Sequence, residues 1–178
     1  MEQQANVWKA NLINGLIMGV TAIIYSLAMY FFDLFFNQTQ GYIFMVIQAA
    51  LLAYLLKSYR DNYRFGNISY GQSVGAGVII CLYSTVITAI FMYLLYTVID
   101  PGLIDKQLAF AEEKILEQGV PQATVDAAMA IQRKLVKPGI MAISNVFGNI
   151  LFGTILSLLV SIFIKKEGNP LINMPNQQ

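Results

Sequence analysis

The chain has 178 residues, of which 57% are hydrophobic and only 12% are charged. A soluble domain usually carries about 25% charged residues, so this composition excludes a solvated globular protein and predicts one that lies in a lipid bilayer. The net charge of +1, without any run of four basic residues, excludes an electrostatic surface for nucleic acid. With no His and a single Cys, the chain cannot form His-based zinc sites, a Ser-His-Asp triad or an internal disulfide. We therefore expect no catalytic, cofactor-binding or metal-binding residues and no cofactor.

Four stretches are apolar and long enough to cross a bilayer as helices, which takes about 20 residues. The predicted spans are about 12–32, 42–56, 73–99 and 140–164. The polar residues 37–41 predict a short turn between the first two spans. The predicted fold class is thus all-α, with residues 1–178 forming one integral membrane four-helix bundle.

The distribution of charge predicts the orientation of the bundle. One side, with both termini and the 57–72 connection, carries six basic and three acidic residues, among them Glu2 and Glu167. The other side carries five basic and seven acidic residues. Because Lys and Arg accumulate on the cytoplasmic side of membranes, we predict that both termini are cytoplasmic.

Residues 100–137 predict an extracytoplasmic helical hairpin between the third and fourth spans. Asp100 can cap a first helix that begins at Pro101, and Gly119 with Pro121 ends it. A second helix is predicted over about 122–136. The two helices carry narrow apolar stripes, formed by Ile104, Leu108, Ala111 and Ile115 and by Val125, Ala128, Met129, Gln132 and Leu135. The stripes can pack on each other, which we favour because they are narrow, or they can form a partner-binding surface or a lid.

Small and amide side chains recur every four residues in three of the spans. This spacing predicts closely crossing helices. The repeats are Gly15 and Gly19 in the first span, Ser73, Gly77, Cys81, Thr85 and Ala89 in the third, and Asn145, Asn149, Gly153, Ser157 and Ser161 in the fourth.

Four amide side chains inside the spans allow two interpretations. They can form hydrogen bonds between helices, or they can line a polar pore or ligand cleft. Interhelical hydrogen bonds in membranes contribute only about 0.6 kcal/mol on average, so a few amides are tolerated as packing elements and we favour the first interpretation. The four are Asn14, Gln48, Asn145 and Asn149.

Several short motifs resemble one known family. They are Tyr-Arg-Asp-Asn at 59–62, Gly-Asn-Ile-Ser-Tyr-Gly-Gln at 66–72, Tyr-Thr-Val-Ile-Asp-Pro at 96–101, and Gly-Thr-Ile-Leu-Ser at 153–157 followed by Lys165-Lys166. Over about residues 11–167 the chain resembles the domain of unknown function 4199 family, small four-span proteins chiefly from Bacteroidetes. The resemblance implies an inner-membrane location, and it implies no activity or catalytic residue.

Together these patterns predict a non-enzymatic protein that acts by binding a membrane or envelope partner, or a second copy of itself. The candidate surfaces are the hairpin and the loop 57–72. The alternative is an oligomeric channel or transporter subunit for a small solute. A lipid-modifying enzyme is the third hypothesis, and it lacks an evident acid-base pair.

Overall fold

The computed structural model describes residues 6–166, and within them every regular element is helical. The helices are α1 (Val7–Phe31), α2 (Gln38–Tyr63), α3 (Tyr70–Leu94), α4 (Leu103–Leu116), α5 (Gln122–Leu135) and α6 (Pro138–Ile164), and a π-helical turn, Leu95–Ile99, continues α3. The all-α prediction is confirmed. Glu2 and Glu167, which entered the charge balance, lie outside the described residues.

Four of the helices are long and apolar enough to cross a membrane, as predicted. These are Val7–Phe31, Thr39–Tyr63, Tyr70–Ile99 and Pro138–Ile164. Their outward faces carry large apolar side chains such as Ile24, Phe147 and Phe163, which are more than half exposed. In water such a surface would be unfavourable, whereas lipid tails solvate it, so the chain is a multi-pass membrane protein.

The second span begins earlier and ends later than the sequence indicated. Asn37 caps α2, because its side-chain oxygen accepts a hydrogen bond from the Thr39 amide at 2.9 Å. This cap lets residues 38–41 join the helix instead of forming a turn. α2 then continues to Tyr63, well past the predicted end at Leu56.

The predicted start of the first hairpin helix is wrong. α4 begins at Leu103, and Asp100 does not cap it. The Asp100 carboxylate instead accepts a hydrogen bond from the Tyr30 hydroxyl at 3.1 Å and lies 3.6 Å from the Lys106 ammonium. A long-range partner on α1 has thus replaced the local capping interaction. Pro138 occupies the first turn of α6, where proline is tolerated.

The predicted small-residue repeats bring three helices together, with α3 in the middle. α3 packs most extensively against α6 and α1. A methyl group added to Gly153 would lie 2.6 Å from Cys81 Cβ, and one added to Gly77 would lie 2.6 Å from Ser157 Oγ. A methyl group added to Gly15 would lie even closer to Tyr83 Cβ, on the opposite side of α3. At these positions only glycine lets the backbones approach so closely.

α2 packs less closely against the other three spans. Its inner face carries large residues, Leu52, Leu55, Leu56 and Tyr59, all at most 2% exposed. These side chains fill the half of the bundle that contains the start of α1 and the end of α6. We call this the terminal end, and we call the opposite end, beside α4 and α5, the cleft end.

The terminal end is closed by contacts between the α2–α3 loop and the end of α6. Ile68 and Lys166 form an antiparallel β-bridge with N–H···O distances of 2.9 and 3.0 Å. The Arg60 guanidinium donates a hydrogen bond to the Ile164 carbonyl at 3.1 Å. Ile68 itself is 1% exposed, so this loop is part of the core.

Candidate functional site

A polar cavity lies among α1, α2, α3 and α6 and extends from the middle of the bundle towards the cleft end. Its volume is about 220 Å³. Because α2 stands away from the other spans and Phe44 and Gln48 do not fill the gap, the helices leave this space open. The lining residues are Met18, Ala22, Ser26, Phe44, Gln48, Cys81, Ser84, Thr85, Thr88, Met92, Asn145, Asn149, Phe152, Gly153 and Leu156.

The cavity wall contains hydroxyl and amide groups, and within residues 6–166 no charged side chain lines it. A buried ion without a counterion is strongly disfavoured in a low-dielectric region. The cavity is therefore suited to an uncharged molecule, whose polar atoms can bond to the wall while its apolar part contacts Met18, Phe44 and Phe152.

Some of the polar wall groups form hydrogen bonds within their own helices. Thr88 Oγ1 donates to the carbonyls of Ser84 and Thr85, at 3.0 and 3.1 Å. Asn149 Nδ2 donates to Asn145 Oδ1, one turn earlier on α6, at 2.6 Å. These bonds fix the side chains along the wall without closing the space between helices.

Gln48 differs from the other polar wall residues. Its side chain lines the cavity and the residue is 5% exposed, yet its Nε2 has no hydrogen-bond partner among the described residues. A buried donor left without an acceptor costs about 1–3 kcal/mol. The cavity therefore contains a hydrogen-bond donor without an acceptor, and a bound molecule can provide that acceptor.

Three of the four amide side chains noted in the sequence lie together in the structure, and the fourth lies elsewhere. Gln48, Asn145 and Asn149 lie around one cavity, as the alternative interpretation required. Asn14 does not line it and instead donates to Asn11 Oδ1 on the same helix at 3.1 Å. Among the hydrogen bonds of the described part of the chain, none joins these four side chains to another helix, so the favoured interpretation of interhelical bonding is wrong.

A second, larger space, the aromatic cleft, lies between α4 and α5 and the cleft end of the spans. Its volume is about 600 Å³. Met92 and Asn145 line both spaces, so the cleft and the polar cavity adjoin at these two side chains. The cleft is lined by Phe35, Phe36, Met92, Tyr96, Gln107, Phe110, Ala111, Lys114, Ile115, Gln132, Met141 and Asn145.

Aromatic contacts hold α4 beside the spans and shape the cleft. Phe110 stacks on Phe36 with ring centroids 5.8 Å apart. Phe35 packs edge-to-face against Tyr96 with ring centroids 6.4 Å apart. The Tyr96 hydroxyl donates to Gln107 Oε1 at 2.9 Å. These contacts join α4 to the α1–α2 loop and to the π-helical turn.

The only charged residue of the cleft wall within residues 6–166 is Lys114. Its ammonium lies 2.6 Å from a Glu117 carboxylate oxygen and 5.7 Å from the centre of the Phe110 ring. The hydrogen bond to Glu117 raises the pKa of Lys114 and so favours its charged form, and the neighbouring Glu117 carboxylate offsets that charge. The cleft thus presents aromatic and amide surface with little net charge.

The apolar stripes of α4 and α5 are only partly buried. The two helices contact each other, and Val125 and Met129 are buried. Leu135, which was assigned to the same stripe, is 53% exposed, and Gln132 lines the cleft. Self-packing therefore uses the first half of α5, whereas its second half borders the cleft or solvent.

Sequence reasoning missed the hydroxyl part of the cavity wall and the whole aromatic cleft. The hydroxyl groups had a detectable signal, because Ser84, Thr85 and Thr88 lie within five positions of an otherwise apolar span. No sequence pattern indicated the cleft, because Phe35 and Phe110 come from segments that are far apart in the sequence and meet only in the fold.

Comparison with models of protein families identifies a family that matches most of the chain. The family model described as "Protein of unknown function (DUF4199)" matches residues 13–166, which confirms the resemblance inferred from the short motifs. No curated protein and no solved structure matches the chain.

Proposed function

The chain belongs to the DUF4199 family, and we propose that it is a non-enzymatic inner-membrane protein that acts by binding a membrane or envelope partner. The observation that carries this proposal is the aromatic cleft, which is open, about 600 Å³ in volume and close to electrically neutral. Aromatic and Met side chains are enriched where proteins bind other proteins. The partner would insert apolar side chains between Phe36, Tyr96 and Phe110 and contact the amides at Gln107 and Gln132.

The test is photocrosslinking from inside the cleft. A benzoylphenylalanine introduced at Phe110 should form a discrete protein adduct in native membranes, either with a second membrane protein or with another copy of this chain. The same group at Phe147, 67% exposed on the outer face of α6, should label only lipid. Replacing Phe35 and Phe36 by Ala should abolish the Phe110 adduct. If Phe110 and Phe147 both label only lipid, the cleft is not a partner site.

The proposed orientation places both termini in the cytoplasm and α4 with α5 outside it. It is supported by the basic residues near the terminal end and the acidic residues of α4. In a Cys81→Ala background, a Cys at the exposed Gln118 should react with a membrane-impermeant thiol reagent in intact spheroplasts. A Cys at the exposed Asn67 should react only after lysis. The opposite labelling pattern would reverse the topology.

An oligomeric channel or transporter subunit is the second candidate, and the polar cavity favours it. Hydroxyl and amide groups lower the barrier for a hydrated solute to enter, and the cavity adjoins the cleft at Met92 and Asn145. Purified protein in liposomes should then conduct a small solute, and replacing Asn145 and Asn149 by Ala should alter the flux. Absence of flux from the unmodified protein would leave the binding proposal as the better one.

A further inference from the structure

The polar cavity has the properties of a ligand site that is separate from the partner surface. We propose that it binds one small, uncharged organic molecule whose hydroxyl or carbonyl oxygen accepts a hydrogen bond from Gln48 Nε2. The inference does not depend on the partner proposed above, because the cavity lies inside the bundle and its lining residues are provided by the spans alone.

The size of the cavity limits the ligand. An apolar cavity of about 150 Å³ is known to accommodate benzene, and this cavity measures about 220 Å³. It can therefore hold a molecule somewhat larger than benzene, of roughly eight or nine non-hydrogen atoms. A whole phospholipid is too large to fit inside.

The chemistry of the wall specifies an amphipathic ligand. Gln48 belongs to α2, while the apolar wall residues Met18 and Phe152 belong to α1 and α6. A short alcohol or amide can place its oxygen at Gln48 and its carbon chain against these apolar residues. A charged ligand is excluded because the described wall offers no counterion.

Among the polar atoms of the cavity wall, Gln48 Nε2 is the one that is both buried and without a hydrogen-bond partner within residues 6–166. Thr88 and Asn149 already donate to acceptors on their own helices. The Gln48 side chain is 5% exposed and its Nε2 bonds to nothing else in residues 6–166. A ligand oxygen at Gln48 therefore gains a bond without breaking one.

The adjoining cleft provides an entry route. Met92 and Asn145 line both spaces, and Met is a flexible side chain that can change rotamer without moving the backbone. A small molecule can thus reach Gln48 from the cleft, whereas the terminal end is blocked by Leu52, Leu55 and Leu56, which are buried.

The test is photolabelling of the purified full chain in detergent with a diazirine derivative of hexanol. We expect labelled residues in the cavity wall, at Met18, Phe44 or Phe152. Excess 1-hexanol should protect against this labelling about fivefold better than heptane, which replaces the hydroxyl by a methyl group, because one net hydrogen bond has about that effect on affinity.

Two variants identify the contact. Gln48→Met, which keeps the length of the side chain and removes its donor, should make 1-hexanol and heptane equally protective. Gln132→Met, the same change in the cleft wall, should leave the difference intact. Should Gln48→Met fail to fold, Ser26→Leu offers a second variant, because it fills the cavity from α1 and should abolish wall labelling.

Three results would overturn the proposal. Labelling confined to lipid-facing residues such as Phe147 would mean that the cavity holds only water. Equal protection by 1-hexanol and heptane in the unmodified protein would mean that the site does not recognise an oxygen. An undiminished preference for 1-hexanol in Gln48→Met would place the contact elsewhere.

Discussion

The two ends of this bundle are packed by different kinds of side chain. The terminal end has a continuous aliphatic core around Leu52, Leu56 and Ile80, none of which is exposed. The cleft end has a smaller cluster around Leu95, Tyr96 and Leu103, bordered by partly buried aromatic residues. The polar cavity lies between the two clusters.

This difference shows what close packing requires in a membrane protein. Lipid tails are as apolar as the helix surfaces, so burial of apolar surface does not by itself draw helices together. The helices approach closely where Gly77, Gly153 and Ser157 let the backbones meet. Towards the cleft end α6 carries Asn145 and Asn149 instead of smaller residues, and the space remains open.

The largest effect is expected at a close small-residue contact between α3 and α6. Gly153→Leu should lower the free energy of unfolding by about 1–3 kcal/mol, because overpacking at Cys81 must push α3 and α6 apart. Gly148→Leu is the matched control on the same helix, since an added Cβ there meets nothing within 4 Å. Denaturation in mixed detergent micelles measures both. Similar values for the two variants would show that α3 and α6 are not held by this contact.

A smaller effect is expected at the closure of the terminal end. Arg60→Met removes the hydrogen bond to the Ile164 carbonyl and the ion pair with Asp61. It should cost about 1.5 kcal/mol, the lower end of the range for hydrogen bonds that involve a charged group. Amide hydrogen exchange at Ile68 and Lys166 should become faster. Lys57→Met, an exposed control on the same helix, should leave exchange unchanged. Unaltered exchange in Arg60→Met would mean that the β-bridge holds without this bond.

The smallest effect is expected in the polar cavity. Replacing Asn145 and Asn149 together by Ala removes both partners of one hydrogen bond, so the loss of stability should be about 1 kcal/mol or less. Ser144→Ala, at an exposed position of α6, is the control. A loss as large as that of Gly153→Leu would show that these amides hold helices together after all.

The sequence predicted the spans and their closest contacts because both depend on local patterns. Apolar length identified four spans, and the four-residue repeats identified Gly77 and Gly153 as contact positions. The end of α2 was misjudged because Lys57 and Arg60 interrupt its apolar pattern although they continue the helix. Charged residues mark where a segment leaves the membrane, but the helix can continue past them into water.

The cavity and the cleft could not be predicted in the same way. Both depend on how far α2 and α4 stand from the other helices, which is decided by contacts between residues distant in sequence. Asp100 illustrates this, since its local pattern indicated a helix cap whereas its partner in the fold is Tyr30. Sequence identified Gln48 as an unusual residue, but only the structure shows that its Nε2 has no partner within residues 6–166.

The β-bridge at the terminal end has a consequence for how the protein is made. Ile68 pairs with Lys166, so this bond cannot form until the last span has been synthesised. The α2–α3 loop therefore leaves the ribosome with two unpaired backbone groups at Ile68. A chain arrested or truncated before α6 would keep them unpaired, and Ile68 would remain uncovered. Completion of the bundle and closure of this loop thus coincide, so the backbone pairing at Ile68 distinguishes a finished chain from an unfinished one.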